Sequence, residues 1–227
     1  MKKTAAILTF ITAFATTVFA QEIEWDFSKG IKPSGPFEFV LNGTANIDQG
    51  YFYIDGELDP KTRGALSAKQ KYADLAPKGA FSMTFVFSME PARSPQYYQM
   101  LWDSKGDYYD KKNGKPLDNS GFTIAIYRQK TAKNMGFHIW LGNGKETSLI
   151  KTKRVPFETG KKYTMVFDYD GKSKYSVTLD GVVLGEGNVA PGGAIGPSYY
   201  KPTIGNRAVG SFFPFDGKIY SVKMIKK

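Results

Sequence analysis

The chain has 227 residues, 31 lysines and arginines against 21 aspartates and glutamates, one histidine and no cysteine. That length suits one large domain with a core that needs no disulfide staples. The basic residues are scattered (Lys69, Lys71, Lys78, Lys111-Lys112, Lys151 to Arg154, Lys161-Lys162), which argues against a nucleic-acid module with its clustered basic element. The charge leaves acidic polysaccharide or an anionic lipid surface open as partners.

The first element is a predicted leader. Lys2 and Lys3 precede an apolar run over Ala5–Phe19, and Val18-Phe19-Ala20 places small residues before Gln21. This is a bacterial-type signal peptide over residues 1–20, cleaved before Gln21. It is too short to be a comfortable membrane span. No cysteine follows for lipid attachment, and no second run of spanning length lies downstream. The expectation is a secreted or periplasmic protein whose residues 21–227 form a single domain.

Period-two alternation then dominates. Short strands are expected at Ile23–Phe27, Phe37–Leu41, Tyr51–Ile54 and Gly64–Ala68. Phe81–Met89 follows, with Phe81, Met83, Phe85, Phe87 and Met89 on one face and Ser82, Thr84, Val86 and Ser88 on the other. Tyr97–Trp102, Gly121–Tyr127, Met135–Leu141, Tyr163–Tyr169 and Lys218–Ile225 continue the pattern. Asn143-Gly144, Asp170-Gly171 and Asp180-Gly181 are hairpin-turn dipeptides between apolar runs. No window after Ala20 has a capped helical period. Two segments read as loops: Asp103–Ser120, and Gly185–Pro202 with its glycines and prolines. Many short strands with frequent turns mean a sandwich or barrel.

The order of the later motifs carries a resemblance. Tyr163 to Gly171 leads into Lys174–Gly181, then Pro202-Thr-Ile-Gly-Asn206, then Phe215-Asp-Gly-Lys-Ile-Tyr-Ser-Val-Lys-Met-Ile225. Upstream, Trp25-Asp-Phe-Ser-Lys-Gly30 and Tyr51-Phe-Tyr-Ile-Asp-Gly56 look like opening strands. The series resembles laminin-G-like domains of the concanavalin-A-like lectin and glucanase superfamily, with Ser221 standing where an acid often sits. The resemblance implies an all-β, two-sheet antiparallel jelly-roll sandwich whose ends pair, Ile23–Phe27 near Gly217–Ile225. It implies glycan or protein binding at loop rims, in some members with calcium, and relatives that are glycosidases.

Catalysis finds little support in the residues. Glucanase relatives place alternating acids on one strand, and no such run exists away from Glu22-Ile-Glu24-Trp-Asp26, directly behind the leader. Neither a G-x-S-x-G motif nor a cysteine nucleophile occurs. His138 lies in a strand beside Trp140 and reads as a sheet-surface or groove residue. A glycosidase or lyase with acids from separate strands stays as an alternative. No cofactor is expected, except calcium at Asp103, Asp107 and Asp110, against the simpler reading of a solvated polar loop. With 15% aromatic residues, the expected role is a non-catalytic binding module for glycan or polysaccharide, or else for an envelope protein. Rings take the apolar faces of sugars and polar groups take the hydroxyls. The candidate binding residues are Trp102, Asp103, Asp107, Tyr108, Tyr109, Trp140, Tyr199 and Tyr200. One ring of the Tyr97-Tyr98 pair is expected in the core, because neighbours in a strand face opposite ways.

Overall fold

Among the described residues, sixteen strands make up nearly all the regular structure, with two single-turn 3-10 helices at Phe27–Lys29 and Ala73–Leu75: β1 (Gln21–Asp26), β2 (Phe39–Asn42), β3 (Ala45–Asp48), β4 (Tyr51–Ile54), β5 (Ala65–Ala68), β6 (Phe81–Met89), β7 (Tyr98–Asp103), β8 (Ser120–Tyr127), β9 (Asn134–Asn143), β10 (Thr147–Lys151), β11 (Val155–Pro156), β12 (Lys162–Tyr169), β13 (Lys174–Leu179), β14 (Val182–Asn188), β15 (Thr203–Ile204) and β16 (Gly217–Lys226). The computed structural model describes residues 20–54, 64–91, 97–105, 119–128, 133–198, 200–208 and 213–227. The expected leader therefore lies outside the described residues up to residue 19.

The strands form two antiparallel sheets packed as a sandwich, consistent with a jelly roll. The first runs β14-β13-β12-β6-β16-β4-β3, with β1 also on β16; the second runs β10-β9-β8-β7-β15-β5-β2, with β11 on β9. β6 sits between β12 and β16, and its five alternating Phe and Met side chains are fully buried. Facing them are Phe122, Ile124 and Ile126 of β8 and Phe137, Ile139 and Leu141 of β9. Ring pairs bridge the sheets: Phe81 with Phe122 at 5.3 Å, Phe87 with Phe137 at 6.4 Å, Trp25 with Trp102 at 5.7 Å. Each such side chain withdrawn from water contributes about 1.5–3 kcal/mol.

The expected pairing of the ends holds: β1 runs along β16 from Gln21 opposite Lys226 to Asp26 opposite Ser221. β4 takes the other part of the same edge, at Lys218 and Ile219, and a bulge between Ile219 and Ser221 marks the changeover. The turn chemistry also holds. Asp180 and Gly181 both have positive φ, 49° and 79°, as a tight β13–β14 hairpin requires. The Asp170 carboxylate accepts N–H bonds from Lys172, Ser173 and Lys174, and these hold its pKa below the ordinary value.

Three expectations are corrected. β14 continues to Asn188, inside the segment read as a loop, because the open edge of β13 supplies backbone partners whatever the side chains. β3 and β10 are strands with outward faces that gave no sequence signal; Leu149 of β10 is 42% exposed. Asp103 and Ser120 end β7 and begin β8 rather than belonging to the loop between them.

Candidate functional site

The central strands of the second sheet present an aromatic surface on their outer side. β8 turns Phe122, Ile124 and Ile126 inward, so Thr123, Ala125 and Tyr127 face out. Register places Tyr98 opposite Tyr127, Ala125 opposite His138, and Thr123 opposite both Asp103 and Trp140. Ala125 and Met100 are buried yet stand apart from the core between the sheets. Register sets them opposite each other, on the outer side of the sheet.

Tyr98 is the hub. Its ring lies 5.3 Å from Tyr127, 5.4 Å from His138, 5.4 Å from Trp140 and 5.6 Å from Phe213. Tyr127 and His138 stack at 4.6 Å. The Arg154 guanidinium covers Tyr127 at 4.4 Å, and Arg207 sits 5.4 Å from Phe213. Tyr97, 53% exposed, extends the surface beside Tyr127 at 6.2 Å. Both Tyr97 and Tyr98 thus lie outside the core, against the expectation for that pair: β7 begins at Tyr98, and the residue that turns inward is Gln99.

Burial comes first in setting ionisation on this surface, with neighbouring charges second. Burial, then Lys151 and Arg154, push the His138 imidazole down to about 4, so it is neutral through the ordinary pH range. Burial and the neighbouring Tyr127 raise the Tyr98 phenol. Both rings therefore present uncharged faces.

The candidate residues separate. Trp140 stands in the aromatic surface, partly exposed. Trp102 does not: it is fully buried, stacked on Phe122 at 5.6 Å and edge-on to Trp25. The cause is a bulge between Met100 and Trp102 that shifts the alternation and turns the indole into the core. Asp103 is back on the outer side but fully buried. Its carboxylate accepts from the Thr123 hydroxyl at 2.6 Å, the Lys105 N–H at 3.0 Å and the Ala208 N–H at 2.8 Å. It thereby ties down the segment that carries Arg207 towards the aromatic surface. Asp107, Tyr108, Tyr109, Asp110 and Tyr199 lie outside the described residues, and Tyr200 is half-buried. Among the described residues no group of three or more His, Asp or Glu is placed to hold a metal ion. Tyr98, Tyr127, Met100, Phe213 and Arg154 were missed as site residues. Cross-strand register assembles them, and that is not written in any one strand.

An open recess of about 500 Å3 lies at the end of the first sheet, between Ala80, Asp168, Tyr169, Asp170 and Lys227. Three of its polar side chains are engaged internally. Asp168 pairs with Lys227 at 3.0 Å, and the Tyr169 hydroxyl donates to backbone carbonyls. It is a weaker candidate than the aromatic surface.

No family model and no curated protein matches the sequence. Solved structures do match in shape. The binding domain of botulinum neurotoxin serotype D/C superimposes with a TM-score of 0.57 at 14% identity, covering 89% of this chain and 46% of that one. Domain 4 of AbnA, an extracellular arabinanase from Geobacillus stearothermophilus, in complex with arabinotriose, gives 0.52 at 16% identity, with 91% and 93% covered. The Emp47p carbohydrate recognition domain gives 0.50 at 15% identity, with 84% and 89% covered. The chain spans about half the length of the toxin binding domains and nearly all of the other two. At these identities the likeness is one of fold.

Proposed function

We propose that this chain is a non-catalytic carbohydrate-binding module whose binding surface is the outer side of the second sheet. The observation that carries the reading is the continuous, partly exposed cluster of Tyr98, Tyr127, His138 and Trp140 on a rigid sheet. Sugar rings offer apolar C–H faces that dock on such rings, while the Arg154 guanidinium at the margin offers N–H donors to sugar hydroxyl oxygens. Residues held on strands keep their spacing better than residues on loops. The fold supports the reading in general terms, because two of the similar structures are a carbohydrate recognition domain and an arabinanase domain in complex with arabinotriose. We also place the module outside the cytoplasm, with residues 1–20 removed as a leader.

The test is a glycan array on the chain beginning at Gln21, with and without a calcium chelator, followed by calorimetry on the glycans retained. Tyr98→Ala and Trp140→Ala should each weaken binding by about 1–3 kcal/mol, as truncation of a central aromatic contact does. Retention of glycan at full affinity by both variants, each folded, overturns this placement of the site. N-terminal sequencing of the exported protein should begin at Gln21; a retained leader would refute the export reading.

A further inference from the structure

The opposite side of the sandwich carries a second aromatic surface, and its chemistry differs from the first. In β4, Phe52 and Ile54 enter the core while Tyr51 and Tyr53 face outward. Tyr51 lies 5.6 Å from Tyr53 and 5.8 Å from Tyr220, the additional residue in the β16 bulge. An ammonium group stands over two of these rings: Lys218 Nζ at 4.6 Å from Tyr51, and Lys162 Nζ at 4.0 Å from Tyr220. Register sets Tyr53, Lys218, Ser88 and Lys162 in one row across β4, β16, β6 and β12.

The partnering of charge on this sheet is uneven. Towards β1 and the far end of β16, the lysines are neutralised by the protein itself. Lys223 pairs with Glu22 at 2.9 Å, Lys227 with Asp168 at 3.0 Å, and Lys226 with Asp74 at 3.7 Å. Lys162 and Lys218 have no carboxylate at ion-pair distance among the described residues. The nearest acids by register are Glu90, two residues past Ser88 on β6, and Asp180, beside Thr164, and neither is at ion-pair distance from Lys162 or Lys218 among the described residues. A lysine stem laid on an aromatic ring is partly ordered and partly desolvated before any ligand arrives. Two such ammonium groups, on strands two steps apart, have backbones about 10 Å from each other. That suits charged substituents on nearby units of one polymer.

We propose that Tyr51, Tyr220, Lys162 and Lys218 form a second carbohydrate surface, selective for anionic polysaccharide. Sugar faces lie on Tyr51 and Tyr220, and carboxylate or sulfate substituents meet the two ammonium groups. The site is separate from the neutral aromatic surface on the second sheet and does not depend on it. The excess of basic over acidic residues in the whole chain favours approach of such a polymer.

Affinity electrophoresis through gels containing polygalacturonate, its fully methyl-esterified form or dextran sulfate tests this. The wild type should be retarded by one or both acidic polymers and much less by the ester, and retardation should weaken as salt rises. Retardation by polygalacturonate alone assigns carboxylate as the partner; retardation by dextran sulfate alone assigns sulfate. The double variant Lys162→Gln/Lys218→Gln should lose at least tenfold in affinity, and Tyr220→Ala should also weaken binding. A charge-matched control, Lys78→Gln/Lys172→Gln, removes two exposed lysines at the other end of the sheet and should lose less than threefold. Equal losses in the two double variants would reduce the effect to net charge and overturn the proposal. So would loss on Lys151→Gln/Arg154→Gln without loss on Lys162→Gln/Lys218→Gln, or binding to phosphatidylglycerol vesicles with none to either acidic polymer.

Discussion

The imidazole of His138 lies parallel to the ring of Tyr127, with centroids 4.6 Å apart and planes within 2°. The two are not directly opposed across the strands: Tyr127 faces Gly136, and His138 faces Ala125. The stack is therefore a diagonal contact. Gly136 makes room for it. A Cβ there would come within 3.2 Å of the Arg154 side chain, which passes over that position to cover Tyr127. One glycine thus lets a histidine, a tyrosine and an arginine share a surface.

The stack makes stability depend on pH in a defined window. The His138 pKa is about 4 in the folded chain, against 6.5 ordinarily, and its buried Nδ1 has no hydrogen-bond partner. Above pH 6.5 both folded and unfolded chains carry neutral imidazole, and the group contributes no pH dependence. Between 6.5 and 4 the unfolded chain takes up the proton first, so stability falls as pH falls. Below 4 both forms are protonated and the loss ends. After allowance for partial exposure, the loss is about 1–3 kcal/mol. Asp26, held at about 2 by Lys29 and Ser28, and Asp170 and Glu38, also lowered, add their own loss from about pH 5 downwards, equally in the wild type and in the histidine variant. Urea unfolding at pH 7, 5.5 and 4 should show the slope in the wild type and a flatter one in His138→Gln. Because this is the chain's one histidine, its NMR titration is unambiguous, and a midpoint near 6.5 would refute the account.

The tryptophans should report separately on core and surface. Trp25 and Trp102 are fully buried, whereas Trp140 is partly exposed. Trp102→Ala should lower folding stability by about 3–5 kcal/mol through the cavity it leaves. Trp140→Ala should lower it by clearly less. Acrylamide should quench mainly the Trp140 emission, and quenching should disappear in Trp140→Ala. Strong residual quenching in that variant would mean that one of the buried indoles is accessible.

Much of the fold was legible because alternation in a sandwich is a local signal. β6, with five apolar residues on one face, could be read residue by residue, as could the Asp-Gly turns and the pairing of Trp25's strand with the closing strand. The candidate site was less legible for two physical reasons. Trp102 was misassigned because a single bulge reverses the faces of the residues that follow it, and no residue type announces that bulge. Tyr98, Tyr127 and His138 became one surface only once the register of three strands was known. His138 and Trp140 were visible as same-face neighbours, but their partners were not. The Asp107, Tyr108, Tyr109 and Asp110 segment lies outside the described residues.

A buried ion pair supports the end of β8. Arg128 and Asp216 are both nearly inaccessible, with Nη2 to Oδ2 at 3.7 Å, and Arg128 Nη1 donates to the Glu90 carbonyl at 2.9 Å. Burial lowers the Arg128 pKa, and Asp216 opposes that shift. Arg128→Met removes the cation while leaving the carboxylate buried, and should cost about 3–5 kcal/mol. Arg128→Met/Asp216→Asn should be less destabilised than the sum of the two single variants, measured by urea unfolding. Strict additivity would show that the two groups do not interact.

Two glycines of the first sheet should respond differently to the same added methyl group. Gly181 has φ of +79°, and a Cβ there would meet no atom within 4 Å. Its replacement by alanine therefore costs only the left-handed backbone conformation, about 1–2 kcal/mol. Gly181→Asn should recover part of that, since asparagine tolerates the conformation better. Gly217 begins β16 opposite Met89, and a Cβ there would stand 2.1 Å from the Ser88 carbonyl oxygen and within 2.9 Å of the Phe215 ring. Backbone belonging to a central strand cannot step aside as a flexible side chain can. Gly217→Ala should thus break the β16–β6 register where Lys218 and Tyr220 are positioned, and cost well more than Gly181→Ala. Thermal unfolding of the three variants compares them directly. If Gly217→Ala were no more damaging than Gly181→Ala, the close approach of β16 to β6 at Ser88 would be wrong, and with it the placement of the lysine row that crosses there.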